Sequence, residues 1–233
     1  MSYIELLPHD TLKIKDPTDP DRKRVIKLYR IISNKTFSIK RPKLGTVSQE
    51  SSKILYETIT IKRYEIGGWV QKLDNLDQTS PVWIDNNAKV LNDALITNGS
   101  YIADQSIVYG NAYIDNSFIA NYAKIYDDAR VINSWVGDLA SCKNDCVVKN
   151  SKILNQSMIF QKAQINNVCT FGGSFINENA TVNNSILKDF SQIGGDANVT
   201  NATLSERAVL KESTSGVNLA TDPDLEVEWG SDN

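Results

Sequence analysis

Few residues in this chain carry groups that usually perform chemistry, and their spacing limits what they could do. There is one histidine, His9, so any site that needs two imidazoles is excluded. A single imidazole could serve as the general base that deprotonates an acceptor hydroxyl or amine in acyl transfer. His9 lies next to Pro8, about 75 residues before the first regular repeat. That placement favours a surface residue of a cap over a catalytic base, so His9 is only a remote catalytic candidate. Cys142 and Cys146 are four apart, with Cys169 as the only other thiol. Without a nearby histidine they make a poor zinc set, and core filling is the plainer reading. Gly172-Gly173 and Gly194-Gly195 are not followed by a helical pattern, so they read as turns rather than phosphate cradles. Asp127, Asp128 and Asp145 could hold a cation weakly, but solvated corners explain them as well. Arg22-Lys23-Arg24, Lys40-Arg41 and Lys43 form a basic arm that could touch phosphate. A charge cluster on a small cap is more often simply solvated, and nucleic acid is not the expected partner. No cofactor and no metal are expected.

The frame that holds these groups is bounded by composition. The chain has 233 residues, is 41% hydrophobic and carries a formal net charge of −3. That length buries a sizeable core. The balance fits neither a disordered chain nor a membrane protein, and no apolar run approaches a spanning length. With no secretion-like start and an odd number of cysteines, a cytoplasmic location with reduced thiols is expected. The net charge hides a split. Residues 1–64 hold 14 Lys+Arg against 7 Asp+Glu, and residues 65–233 hold 11 against 21.

The acidic part is governed by a repeat. Ile84, Val90, Ile96, Ile102, Val108 and Ile114 recur every six residues, most followed four later by Ala or Ser. From Ile114 to Ile119 the step is five, and the pattern becomes 6+6+5, a coil of 17 residues. One column at that period reads Ile102, Ile119, Val136, Ile153, Thr170, Leu187, Leu204. Another reads Ala112, Ala129, Cys146, Ala163, Ala180, Ala197. A third is asparagine six times: Asn116, Asn133, Asn150, Asn167, Asn184, Asn201. Three short strands per coil make a triangular prism with rungs about 4.8 Å apart. The asparagines fall at the shortened corner. There Asn tolerates the left-handed backbone and can bond to nearby backbone or to its own stack. The fold expected is all-β: a single-stranded parallel β-helix, left-handed by its hexapeptide signature.

Residues 1–65 read as a cap. Tyr3–Lys15, Arg24–Ser33 and Ser52–Tyr64 look like strands of a small antiparallel sheet, with a basic loop between the last two. Such a cap would shield the open end of the rod. The β-helix is expected over 66–211, and 212–233 as an acidic cap and tail.

The boundary carries a recognisable pattern. Ile66-Gly67-Gly68-Trp69-Val70, Asp74-Asn75-Leu76 and Val82-Trp83-Ile84-Asp85-Asn86-Asn87-Ala88 resemble the entry to the YdcK-like hexapeptide-repeat proteins of bacteria. The upstream Arg22–Phe37 hairpin is also similar. The resemblance covers residues 3–211 and departs at the insert near Lys40–Lys53. It implies a left-handed β-helix with a small β-cap. Members are labelled transferases by fold analogy, and the resemblance brings no catalytic residue with it.

Side chains flanking the inward aliphatics must point outward, and the three faces differ. Face one carries Tyr101, Phe118, Trp135, Leu154, Phe171 and Ile186, a nearly continuous apolar stripe. Face two holds Tyr109, Tyr126, Met158, Phe160 and Phe175, and face three is more polar. A stripe that long exceeds what a monomer usually exposes. Either the N-terminal arm or the C-terminal tail covers face one, or face one binds a partner protein or a second copy. The leading expectation is a non-enzymatic scaffold that binds a partner, or itself as a homo-oligomer, through face one. The alternatives are an acyl-CoA-dependent acyltransferase and a nucleic-acid binder or mimic.

Overall fold

The computed structural model describes residues 2–43, 53–211, 213–215 and 218–220. It is essentially all-β, a parallel solenoid of about nine turns joined to a small antiparallel sheet. No helix among the described residues is long and apolar enough to cross a membrane.

The rungs stack with the expected register. Phe118 pairs with Trp135, and Trp135 with Lys152. Lys124 pairs with Ser141, and Arg130 with Val147. Each step is 17 residues, so every side chain keeps its face from coil to coil. Inward residues such as Ile84, Ile102, Ile119, Val136 and Leu187 are fully buried. The small column packs beside them, with Ala112, Ala129, Cys146 and Ala163 also fully buried. Cys142 and Cys146 are therefore core, as their columns imply. Cys142 is held protonated by its hydrogen bond with Cys146 and by burial.

The asparagine column adopts the left-handed backbone that the tight corner demands, with φ between 44° and 55° from Asn116 to Asn201. Its side chains stack in part. Asn116 Nδ2 donates to Asn133 Oδ1 at 2.8 Å and Asn167 Nδ2 to Asn184 Oδ1 at 2.9 Å, whereas Asn150 turns aside to Asn166.

A second ladder, inside this corner, was not anticipated. Ser100, Ser117, Ser134 and Ser151 are buried, and each Oγ accepts the backbone N–H one coil further on, at 3.0–3.1 Å. Ser117 and Ser134 Oγ also donate to a carbonyl of their own turn at 2.7 Å. The hydroxyls thus satisfy corner amides that the strands leave unpaired. The recurring Asn-Ser pair was its signal in the sequence.

The cap is two structures rather than one sheet. Strands β1 (Ile4–Lys15) and β2 (Val25–Ser33) pair antiparallel, and β2 pairs with β5 (Ile66–Val70), the first strand of face two. Face two therefore continues without a break into the cap. Further out, Ile26 and Leu28 of β2 bury Leu91. Strands β3 (Phe37–Pro42) and β4 (Tyr56–Ile61) form a separate hairpin. It lies over the first rungs of face one, where the Phe37 ring meets Trp83 edge-on at 6.2 Å.

The boundary motif is the joint between cap and helix. A Cβ on Gly67 would sit 2.5 Å from the Ile84 carbonyl oxygen, and one on Gly68 2.7 Å from that of Ala88. Asn75 is fully buried and donates to the carbonyls of Asn92 and Ala94. Arg30 stacks on Trp69 and donates to the carbonyls of Gly67 and Asn86. The residues that carry the family resemblance hold this joint together, and none of them forms a reactive cluster.

At the far end the helix runs past the expected limit of residue 211. Thr214–Ser215 and Asn218–Ala220 add strands to faces three and one. That coil steps by 15 residues, so a 17-residue comb misses it. Residues 221–233 and most of the basic loop expected between the cap strands lie outside the described residues.

Candidate functional site

The first candidate surface is face one, and it is not exposed. Tyr101, Phe118, Leu154 and Phe171 are each 5% exposed and Trp135 6%, while Ile186 is half-buried. The rings form a tilted stack, with Tyr101–Phe118 centroids 5.4 Å apart and Phe118–Trp135 6.1 Å apart. Tyr101 donates its hydroxyl to Asp85 Oδ2 at 3.0 Å. Burial, then the Asp85 carboxylate, push that phenol well above its usual range. The expectation of an open stripe is thus corrected. An outward position on a solenoid does not guarantee solvent, because another part of the same chain can lie over it. The β3–β4 hairpin does so at Trp83 and Tyr101.

Further along the same face sit two reactive groups. Lys152 is 1% exposed and Cys169 is fully buried. They occupy paired positions on adjacent rungs. Burial lowers the Lys152 pKa, and it pushes the Cys169 thiol up to about 11 against the pull of Lys152 and Lys188. Neither shift yields a reactive thiolate in the neutral range.

The uncovered apolar surface lies elsewhere, on face two and on the corner between faces one and two. Tyr109 and Tyr126 stack almost parallel, 4.9 Å apart. Burial, then Tyr126 and Asp127, push the Tyr109 phenol up to about 12. Lys143 Nζ sits 5.3 Å from the Phe160 ring centre. Met158, Phe160 and Phe175 are half-buried. On the corner, Tyr122, Leu139 and Phe190 are 52%, 58% and 54% exposed. Tyr122 and Phe190 hold φ of 68° and 64°, where a bulky side chain is strained. Gly173 takes the same corner position in the coil before Phe190, and the Phe190 ring covers it. The sequence contained this surface, but face one outranked it because nothing there marked which face the chain itself would cover.

The remaining candidates disperse. His9 is exposed on β1, where a bulge between Leu7 and Thr11 lifts Pro8–Asp10 out of the ladder. Asp127, Asp128 and Asp145 line a cleft of about 820 Å³ with Asp16, Arg24, Lys72 and Asp93. Asp127 accepts from Asn144 and Asp128 from Asn111. Among the described residues no three acidic, histidine or cysteine side chains converge to hold a metal. The basic arm is largely engaged in ion pairs: Lys23 with Asp21, Arg24 with Asp16, and Arg41 with Glu57. No family model matches the chain, and no curated protein matches it.

Proposed function

We propose that this chain is a non-catalytic β-helical scaffold that pairs with a second copy of itself through face two and the ridge beside it. The observation that carries the reading is the apolar row left uncovered there, from Tyr109 and Tyr126 to Phe160 and Phe175, edged by Tyr122, Leu139 and Phe190. Aromatic side chains on a rigid backbone are the groups that anchor interfaces. The strain at Tyr122 and Phe190 supports the same reading, since Gly or Asn would hold that corner at lower cost. The row spans six rungs, roughly 25 Å at the spacing of paired strands. Two such strips facing each other bury on the order of 1,000 Å², the lower end of specific interfaces. The docking surface is thereby moved from face one, which the chain itself buries, to face two.

Light scattering tests the reading. The intact chain is expected to show a multiple of its 26.0 kDa mass. Tyr126→Asp with Phe160→Asp is expected to reduce it to one chain, with circular dichroism unchanged. A wild-type mass of 26.0 kDa at micromolar concentration, or an unaltered oligomer in the double variant, would sink it.

A further inference from the structure

Face one is shut off from water along a greater length than the described cover reaches. The β3–β4 hairpin meets Trp83 and Tyr101, the first two rungs. Phe171 flanks the strand four rungs beyond Tyr101, roughly 19 Å along the rod, and is still only 5% exposed. Between them Lys152 is 1% exposed and Cys169 fully buried. Trp135 Nε1 is buried there with no acceptor among the described residues.

The chain leaves the helix on this same face. Asn218–Ala220 is its last strand, three rungs beyond Cys169–Thr170, or about 14 Å. Thirteen residues remain, 221–233, and they reach roughly 40 Å when extended. Trp135 lies five rungs from Ala220, about 24 Å, well within that reach. Their sequence alternates acidic and apolar residues: Asp224, Leu225, Glu226, Val227, Glu228, Trp229. That is the two-residue period of an extended segment with one apolar side. Face one offers the complement, with apolar Trp135, Leu154, Phe171 and Ile186 and the cations Lys152 and Lys188. A nearly inaccessible ammonium is stabilised by a carboxylate close by.

We propose that residues 221–233 turn back from Ala220 and lie along face one as a strap, with Leu225, Val227 and Trp229 against Trp135, Leu154 and Phe171 and the acidic residues beside Lys152 and Lys188. The strap closes an aromatic platform that the helix would otherwise present. Because it sits on the outside of a finished sheet, it lifts without disturbing any rung. Face one is then a second docking surface, gated by the chain's own end and independent of pairing through face two.

Cys169 reports on the strap, because it lies on face one whereas Cys142 and Cys146 lie inside the helix. Its reaction with an aromatic disulfide reagent is compared in three proteins. These are the intact chain, full-length Leu225→Asp with Trp229→Asp, and a chain ending at Ala220. In both altered proteins one thiol per chain is expected to react on the order of tenfold faster, and Cys169→Ser abolishes that reaction. Unchanged protection in the full-length double variant overturns the strap, whether or not the shortened chain folds. Zero-length carbodiimide coupling of the intact monomer gives an independent readout. Joins from Lys152 or Lys188 to the carboxylates of 222–228 support the strap. Joins to Glu50 alone, or none from 222–228, overturn it and assign the cover to the loop between β3 and β4.

Discussion

Asp16 shows how much one carboxylate can organise when it is removed from water. It is 1% exposed, and its Oδ1 accepts from the Thr18 amide and hydroxyl at 2.9 and 2.7 Å. Asn92 reaches it from the second coil, and Arg24 Nη2 sits 2.6 Å from Oδ2. Burial alone would raise its pKa, but the bonds from Thr18 and Asn92 and the Arg24 charge outweigh it, and the pKa falls below 3.8. A carboxylate with a depressed folded pKa stabilises above its unfolded pKa, and that contribution is lost as pH falls through the folded value. Asp16→Asn is therefore expected to cost about 1–3 kcal/mol at pH 7. The gap between variant and wild type should shrink below about pH 4. Urea unfolding at pH 7 and pH 3 checks this; an equal gap at both would contradict it. The sequence placed Asp16 only as a turn residue before Pro17. Its partners stand 2, 8 and 76 positions away, and no local pattern links them.

At the scale of elements, β5 is the tightest joint in the molecule. It pairs antiparallel with β2 on one side and parallel with Lys89–Val90 on the other. Added methyls at Gly67 and Gly68 would meet backbone carbonyls, which cannot step aside as a side chain tip can. Gly68→Ala is thus expected to destabilise by about 3 kcal/mol or more. Gly194→Ala meets only the Asn177 side-chain amide first and should stay within about 1 kcal/mol. Thermal melts of the two variants make the comparison, and equal losses would contradict it. The corners show what was legible. Asn, Asp and Gly at fixed spacing announced the left-handed backbone, and every corner asparagine from Asn116 to Asn201 adopts it. The cap strands were legible too, since their β-branched runs are long. Their division into a sheet extension and a separate hairpin was not, because it depends on which outer face each strand meets.

For the whole molecule, identical rungs make length a free variable while register is fixed. Removing residues 141–157 brings Met158 onto the place of Ser141, its partner in the ladder, and leaves every face intact. That shortened chain is expected to unfold cooperatively with the strand signal of its parent. Removal of 141–156 shifts one residue, turns aliphatics outward beyond the cut and should abolish folding. Circular dichroism melts decide, and two similar melts would refute the claim. The same regularity explains why the fold was readable and its working surface was not. Inward positions must be aliphatic, so they repeat and betray the coil. Outward positions are free to vary, and an outward Trp135 looks alike in sequence whether water or another segment lies above it.

The buried serines add a direction to this regularity. Each Oγ that receives an amide belongs to the earlier coil, and the amide belongs to the later one. A chain emerging from its N-terminus therefore completes the acceptor before the donor exists. The cap supplies the first finished edge, and each coil then becomes the mould for its successor. Assembly on this plan is vectorial, and an early fault at the cap denies every later coil its template.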